Sequence, residues 1–326
     1  MTIPYLVRLL CVCFASFFLI HTGLAAVAWG VSPLALRGAG LLRARTSKRL
    51  LFGLRLLPAA AALLVVFGLC VPSYLLLEPG ATPERVSFVF FVLAILGFAA
   101  WSSSTTRAVR GVAGSARYVR QCRRFGSMIH ITGEPSPVIV VESDSPVLAM
   151  AGVFRTQFIV SRGVLEALTP EQLDAALLHE RAHRASRDNF KRLLLLLVPD
   201  LLPFTGAFAA LERSWSRISE WVADESAVEG NSGRSLWLAS ALVSVARLGS
   251  VPPPSPFVTS LIVDGRDLSE RVDRLLRTPQ AAPEPAWRAW LISWGPWGLA
   301  AALFLSVLLR PMTLSFVHGI LERLSH

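Results

Sequence analysis

The sequence has few charged residues, and acidic ones are the scarcer kind. Only 17% of its 326 residues are charged, whereas 53% are hydrophobic, which is too apolar for an ordinary soluble domain. Basic residues outnumber acidic ones by 32 to 22 and give a formal net charge of +10. No basic cluster is interleaved with aromatics as a nucleic-acid surface requires. The excess of Lys and Arg is therefore attributed to cytoplasmic loops of a membrane protein, and no direct nucleic-acid binding is expected.

Cysteine is also scarce. Three of the four cysteines (Cys11, Cys13 and Cys70) lie inside apolar runs, where cysteine behaves as a small hydrophobic residue. Cys122 stands alone in a basic stretch. The spacing excludes both a disulfide framework and a cysteine-based zinc site.

Charge is absent from several stretches long enough to cross a bilayer. Residues 9–36, 56–77, 86–106 and 289–309 are predicted as four transmembrane helices, the last preceded by a cluster of tryptophans typical of a membrane interface. The alternative for the first stretch is a signal peptide, because Arg8 precedes it and residues 26–28 resemble a cleavage site. Its length exceeds a signal core of roughly 7–15 residues, so a retained span is favoured.

Basic residues also predict the orientation. They are frequent at 37–55 and at 107–124, whereas Arg85 is the only basic residue between spans two and three. Both basic segments are cytoplasmic only if the N-terminus is outside. The expected plan is a three-span membrane module at 1–106, a cytoplasmic domain at 107–285, and a fourth span with a short external tail at 286–326, in the cell (inner) membrane.

Residues 107–285 have the pattern of an α+β domain. Together with the four predicted spans, this makes the whole chain a mainly α membrane protein. Short β-branched runs predict strands at 137–142 and 156–161, with a weaker one at 147–151. Thr169, Pro170 and Gln172 form the signature of a capped helix start, and that helix is predicted to reach residue 198. Further helices are expected at 212–229, at 236–248 with Ser235 as N-cap, and at 267–277.

The apolar stretch 193–211 is interpreted as a turn between two helices. It is interrupted near its middle by Pro199, Asp200 and Pro203. Neither half is long enough to cross the hydrocarbon core. We therefore expect the chain to return to the side it left, either buried in the domain or dipping into one leaflet.

The motif His179-Glu180-Arg181-Ala182-His183 lies within the first predicted helix of the domain. Residues i and i+4 project from one helical face, so both imidazoles can bind one ion. Glu180 can take a proton from water activated by zinc and pass it to the leaving amine. Imidazole ligands with an open position favour zinc. The spacing therefore predicts a zinc hydrolase with Glu180 as the catalytic base.

A catalytic zinc needs a third protein ligand. Glu220 and Asp224 are four residues apart on one predicted helical face. We expect Glu220 to bind the metal and Asp224 to accept a hydrogen bond from a ligand imidazole. Glu225 and Asp188 are the alternative ligands, but Asp188 is predicted to point away from the ion.

These residues resemble known peptidases. HExxH followed by E-x-x-x-D resembles the gluzincins, and the order of spans and domain resembles the BlaR/MecR family of membrane antirepressor metallopeptidases. The resemblance is most specific at residues 152–155, 178–183, 220–224 and 268–272. It implies zinc bound by His179, His183 and Glu220, Glu180 as the base, and a protein substrate that is a DNA-binding repressor. It also suggests that Ala149, Met150 and Ala151 form an edge strand that pairs with extended substrate.

Two departures bear on this resemblance. Only 16 residues follow Arg310, so the penicillin-binding sensor of the β-lactam receptors is not expected in this chain. The HtpX/CAAX-protease families share Glu-x-x-Ala-Asp, but their usual His-Pro before the last Arg motif is missing. Arg271 is a candidate oxyanion stabiliser, with a structural surface role as the alternative. The expected function is regulatory proteolysis of a cytoplasmic repressor-like protein or of the chain itself; an HtpX-like quality-control protease and a catalytically silent transducer are the alternatives.

Overall fold

The computed structural model describes residues 5–77, 87–131, 137–143, 145–200, 207–249, 257–260, 265–277, 285–308, 310 and 312–325. In these residues the protein is mainly helical, with one small mixed sheet. The chain forms two compact units. A helical unit comprises Met1–Thr105, Leu197–Ser214 and Glu284–His326, and an α+β unit comprises Thr106–Leu196 and Trp215–Pro283.

Among the described residues, three helical segments are long and apolar enough to cross a membrane. The first is α1 (Tyr5–Ala39). The second joins α2 (Ala44–Val65) and α3 (Val71–Leu77) through a π-helical turn at Val66–Cys70. The third is α4 (Phe88–Phe125), whose C-terminal half lies in the α+β unit. The chain is therefore a multi-pass membrane protein by these three spans, and the predicted link at 78–85 lies outside the described residues.

The C-terminal part of the helical unit contains two further helices, α11 (Ala286–Leu308) and α12 (Thr313–Ser325). The predicted fourth span coincides with α11, but its strongly apolar part, Trp294–Val307, is shorter than the three long spans. The segment predicted as a short tail forms α12 instead. Its Val317 and Leu321 pack in a cluster with Tyr74, which explains why the end of the chain is helical.

The apolar stretch 193–211 packs against the spans of the helical unit. Helix α7 (Asp188–Leu197) ends before it, and α8 (Ala207–Val228) begins within it; residues 201–206 lie outside the described residues. The carbonyl oxygen of Pro199 lies 3.1 Å from His21 Nε2 on α1, and Phe208 packs against Ala25 and Ala28. The buried Arg55 of α2 donates to Glu212 Oε1 at 2.8 Å.

The α+β unit is built around a five-stranded sheet of order β1-β2-β4-β3-β5. Its strands are β1 (Ser127–Ile129), β2 (Val138–Val141), β3 (Leu148–Ala151), β4 (Gln157–Ser161) and β5 (Val258–Ser260). Strands β2 and β4 are parallel, and the other neighbouring pairs are antiparallel. The three predicted strands are present. The short strands β1 and β5 had no signal in the sequence.

The prediction that Ala149, Met150 and Ala151 form an edge strand is wrong. Strand β3 lies between β4 and β5, and these three residues pair with Ser260, Thr259 and Val258. The physical reason is that β5 takes the hydrogen bonds that the free edge of β3 would offer to a substrate. The proline-rich residues 251–256 that precede β5 lie outside the described residues.

An apolar core on the sheet is formed with α5 (Arg162–Ala167), α6 (Pro170–Ala185), the end of α8, α9 (Ser232–Leu248) and α10 (Gly265–Leu276). A second apolar cluster packs the C-terminal part of α4 against the sheet. The predicted N-cap Ser235 is wrong, because Asn231 caps α9 through its bond from the Arg234 amide. A linker to the fourth span is predicted at 278–285, of which residues 278–284 lie outside the described residues.

The prediction of one helix over 170–198 is also wrong, because the structure divides it into α6 and α7. Arg187 has a φ of 52°, in the left-handed region that a regular helix excludes. The chain therefore changes direction between α6 and α7. This break places the side chain of Asp188 beside His183.

A close contact between α1 and α4 gives a test of the helical unit. A Cβ atom added at Gly97 would collide with the Phe14 carbonyl oxygen, whereas one added at Gly30 meets nothing within 4 Å. We expect Gly97→Ala to destabilise the protein by about 1–3 kcal/mol through overpacking, measured by thermal unfolding in detergent. Gly30→Ala is the matched control and should be neutral or stabilising. Equal unfolding temperatures would show that α1 and α4 can separate at no cost.

Candidate metal centre

Helix α6 presents the two histidines of the HExxH motif on one buried face. Its start is held by a capping box between Thr169 and Gln172, with Pro170 at the first helical position. His179 and His183 are one turn apart, and their side chains are almost completely buried. The local sequence signals therefore place both imidazoles as predicted.

Glu220 of α8 completes a cluster of three ligand atoms. His179 Nε2 and His183 Nε2 lie 3.2 Å apart. Glu220 Oε2 lies 3.5 Å from His179 Nε2, and Glu220 Oε1 lies 3.6 Å from His183 Nε2. The three side chains form a buried group with the geometry of a metal site.

These distances fit zinc. Zinc–ligand bonds of about 2.0–2.1 Å at tetrahedral angles separate neighbouring ligand atoms by roughly 3.3 Å, close to the three distances measured here. Both carboxylate oxygens of Glu220 are buried and accept no hydrogen bond from a described residue. Buried polar atoms normally have a partner, and a metal ion between these ligands would satisfy them.

Each imidazole has a carboxylate behind it. Asp224 Oδ1 lies 2.8 Å from His179 Nδ1, and Asp188 Oδ2 lies 2.7 Å from His183 Nδ1. A carboxylate at Nδ1 orients the ring and leaves Nε2 for the metal. Ser219 Oγ also donates to Asp188 Oδ2 at 3.3 Å. Sequence reasoning did not assign this position to Asp188, because a continuous helix would have carried its side chain away from His183.

Arg271 of α10 is bound to the acidic residues of α8. Its Nε and Nη2 atoms donate to the two carboxylate oxygens of Asp224 at 2.8 and 2.7 Å, and Nη1 lies 3.4 Å from Glu220 Oε2. The side chain is buried, so a surface role is wrong. These contacts indicate that Arg271 orients Asp224 and Glu220 rather than stabilising an oxyanion.

Burial and neighbouring charges shift the pKa values of the side chains in the centre. Burial alone would lower the pKa of His183, but the carboxylates of Glu220 and Asp188 outweigh burial and raise it to about 9. Burial opposes ionisation of Glu220, yet His183, His179 and Arg271 hold its pKa well below the usual range. Metal binding must therefore displace protons from the imidazoles. Affinity for zinc should rise as the pH rises towards 9 and fall in acid.

Glu180 is fully buried beside the first histidine. Burial raises the pKa of its carboxyl group, while His179 and His183 act in the opposite direction. A raised pKa brings a carboxylate closer to the neutral pH at which a general base must accept and release a proton.

The other alternative third ligand, Glu225, pairs with Arg274 at 3.0 Å and is not in the cluster.

The metal centre gives a test of its outer carboxylates. Purified protein should hold about one zinc per chain, and Glu220→Ala should lose most of it. Asp188→Asn and Asp224→Asn should each weaken zinc affinity roughly 10–100-fold, measured by competition with a chromogenic chelator. Asp174→Asn, at an exposed position of α6, is the control. Unchanged affinity in Asp188→Asn would mean that the His183–Asp188 contact does not orient the ligand.

Comparison with known proteins agrees with this geometry. A search of curated protein sequences gives no significant match. Residues 116–207 match the model of peptidase family M48, a segment that contains both histidines and Glu180. Glu220 lies beyond it and joins them through the fold. Residues 116–207 are therefore similar to family M48, and the chain is a zinc metallopeptidase whose metal site is formed by His179, His183 and Glu220.

Proposed function

We propose that the chain is a regulatory membrane endopeptidase that cuts a cytoplasmic repressor-like protein or itself. The observation that carries the catalytic part is the convergence of two histidines and one glutamate at zinc-ligand distances, with Glu180 buried beside them. Zinc supplies the Lewis-acid chemistry that makes water nucleophilic at neutral pH.

The residues around the ligands have distinct roles in this proposal. Glu180 takes a proton from the attacking water and delivers it to the nitrogen of the leaving amine. Asp188 and Asp224 hold the Nδ1 protons of the two imidazoles and fix their tautomers. Arg271 holds Asp224 in place and compensates the acidic charge of α8.

The regulatory substrate is supported by the resemblance to the BlaR/MecR peptidases. The order of three apolar spans, an α+β unit and a closing apolar helix resembles that family, as does Gly152-Val-Phe154-Arg155. In this chain the sequence forms the tight connection between β3 and β4, where Gly152 has a φ of 105°. A DNA-binding repressor is the substrate that this resemblance implies.

A second candidate is a quality-control protease of the HtpX type. It is favoured by Glu220-x-x-Ala223-Asp224, a motif shared with the HtpX/CAAX-protease families. A catalytically silent transducer is less well supported, because the ligands and the base are all present in one buried site. The two protease functions differ in substrate, one regulatory protein in the first case and many damaged membrane proteins in the second.

The topology proposed for this function has four spans, an external N-terminus and a cytoplasmic α+β unit. It is supported by the basic residues at 37–55 and 107–124. Because α6 and α8 share one metal site, the stretch 193–211 must return to the side it left. The contact of Pro199 with His21, and that of Glu212 just after the stretch with Arg55, support this return.

Cysteine labelling tests this topology. In a chain whose four native cysteines are replaced by alanine, cysteines at the exposed positions Ser143 and Ser232 should be protected from an impermeant thiol reagent in intact cells. Both should react after the membrane is permeabilised, whereas a cysteine at the exposed Ser315 of α12 should react at once. If a cysteine at position 143 or 232 reacts with the reagent in intact cells, the α+β unit is not cytoplasmic.

The role of Glu180 gives the main test of activity. Glu180→Gln should keep its zinc and its fold but lose proteolysis by about 10²–10⁴-fold or more, because the base no longer accepts a proton. Proteomics of cells that express wild type or Glu180→Gln should reveal the substrates as fragments present in wild type alone. Glu171→Gln, the same change at an exposed position of α6, is the control. An active Glu180→Gln protein would exclude this mechanism.

A further inference from the structure

A cavity of about 400 Å³ opens in the α+β unit beside the metal ligand His183. We propose that this cavity, which we call the 154/190 pocket, binds a bulky apolar side chain of the substrate that is flanked by acidic residues. The proposal rests on the proposed peptidase function, since the occupant is a segment of the protein that is cut.

Part of the pocket lining is apolar. Phe154 and Phe190 face each other with ring centroids 6.2 Å apart, and they are 75% and 37% exposed. Val153 and the buried Met150 complete this part of the lining. Large aromatic side chains left in contact with water next to a metal site have apolar surface to bury. An apolar substrate side chain would bury it.

The pocket lining also includes basic residues. Arg184 and Arg187 belong to it, and among the described lining residues the only acid is Asp188. That carboxylate is buried and bound to His183 Nδ1, so it does not neutralise the rim. The lining beyond its apolar part is therefore positively charged, which favours acidic residues in a bound peptide and disfavours basic ones.

The backbone at Arg187 is the second, independent observation. Its φ of 52° is a left-handed conformation, and at the end of a helix glycine or asparagine is usual there. Its amide donates to the Arg184 carbonyl at 3.0 Å, and its carbonyl accepts from the Lys191 amide at 3.0 Å, so the turn itself needs no arginine. No acidic side chain among the described residues pairs with Arg187. Strained residues at a cleft are associated with function, and here the arginine places a cation at the rim of the pocket.

Direct binding tests the pocket without requiring turnover. The probes are three fluorescein-labelled peptides, Gly-Glu-Phe-Glu-Gly, Gly-Lys-Phe-Lys-Gly and Gly-Glu-Ala-Glu-Gly, titrated by anisotropy against zinc-loaded Glu180→Gln protein in detergent. We expect the first peptide to bind roughly tenfold more tightly than the second, since charge reversal replaces attraction by repulsion. It should also bind more tightly than the third, because alanine buries less apolar surface.

Two substitutions at matched backbone positions assign the effect to Arg187. Arg187→Gly removes the cation and relieves the left-handed strain, so it should fold and should reduce the Glu-to-Lys preference to about threefold or less. Arg187→Asn, also tolerated in this conformation, should behave alike. Glu229→Gly is the control, because Glu229 has a φ of 48° and does not line the pocket. It should keep the full preference.

The outcomes separate this proposal from the peptidase function. Equal binding of the Glu and Lys peptides, no binding of either, or a preference unchanged by both Arg187 substitutions overturns the charge selectivity. Equal binding of the Phe and Ala peptides overturns the apolar site. Wild-type protein that binds selectively but cleaves no peptide or protein contradicts the peptidase function alone. Wild-type protein that cleaves without this preference contradicts the pocket alone.

Discussion

The structure of the α+β unit depends on compensation of buried charge. His179, Glu180, His183, Asp188, Glu220, Asp224 and Arg271 are all nearly inaccessible to water. A buried ionised group is very costly unless it is paired or bound to a metal. Each carboxylate behind an imidazole, and the arginine behind the carboxylates, reduces this cost. The two carboxylate oxygens of Glu220 accept no hydrogen bond from a described residue, and a metal ion would compensate their charge. Loss of any one partner leaves another charge uncompensated, so the site is expected to assemble as a whole.

This requirement also constrains the course of the chain. The two histidines lie on α6 and the third ligand on α8, and the strongly apolar stretch 193–211 separates them. A metal site is possible only if that stretch turns back. The contacts of Pro199 with His21 and of Arg55 with Glu212 hold it against the spans. Glu212 and Glu220 belong to the same helix, two turns apart, so the residue that pairs with span two and the metal ligand are joined by continuous backbone.

Local signals explain which parts of the site could be predicted from the sequence. The capping box at Thr169 and the spacing of His179 and His183 operate within one helix, and both are present as expected. Glu220 and Asp224 were found because they share a helical face. Asp188 was misplaced because its position depends on the left-handed Arg187, for which the sequence has no glycine to indicate a break. Strand β5 was missed because three residues are too few to establish a period of two.

The left-handed residue Arg187 determines the position of three successive side chains that do different work. Asp188 accepts from His183 and orients a metal ligand. The Nδ2 atom of Asn189 donates to the carbonyl oxygens of Gly152 and Phe257 at 2.7 and 3.1 Å, next to the end of β5. Phe190 belongs to the apolar part of the lining of the cavity beside the metal centre. With β5 paired to β3, an extended substrate cannot add to β3 as an edge strand. Backbone pairing with a free edge of β3 is therefore not part of the recognition proposed above, which rests on side-chain contacts near His183. A change in the turn at Arg187 would alter the metal ligand, the start of β5 and the cavity together, which gives a physical reason for keeping a strained backbone at this position.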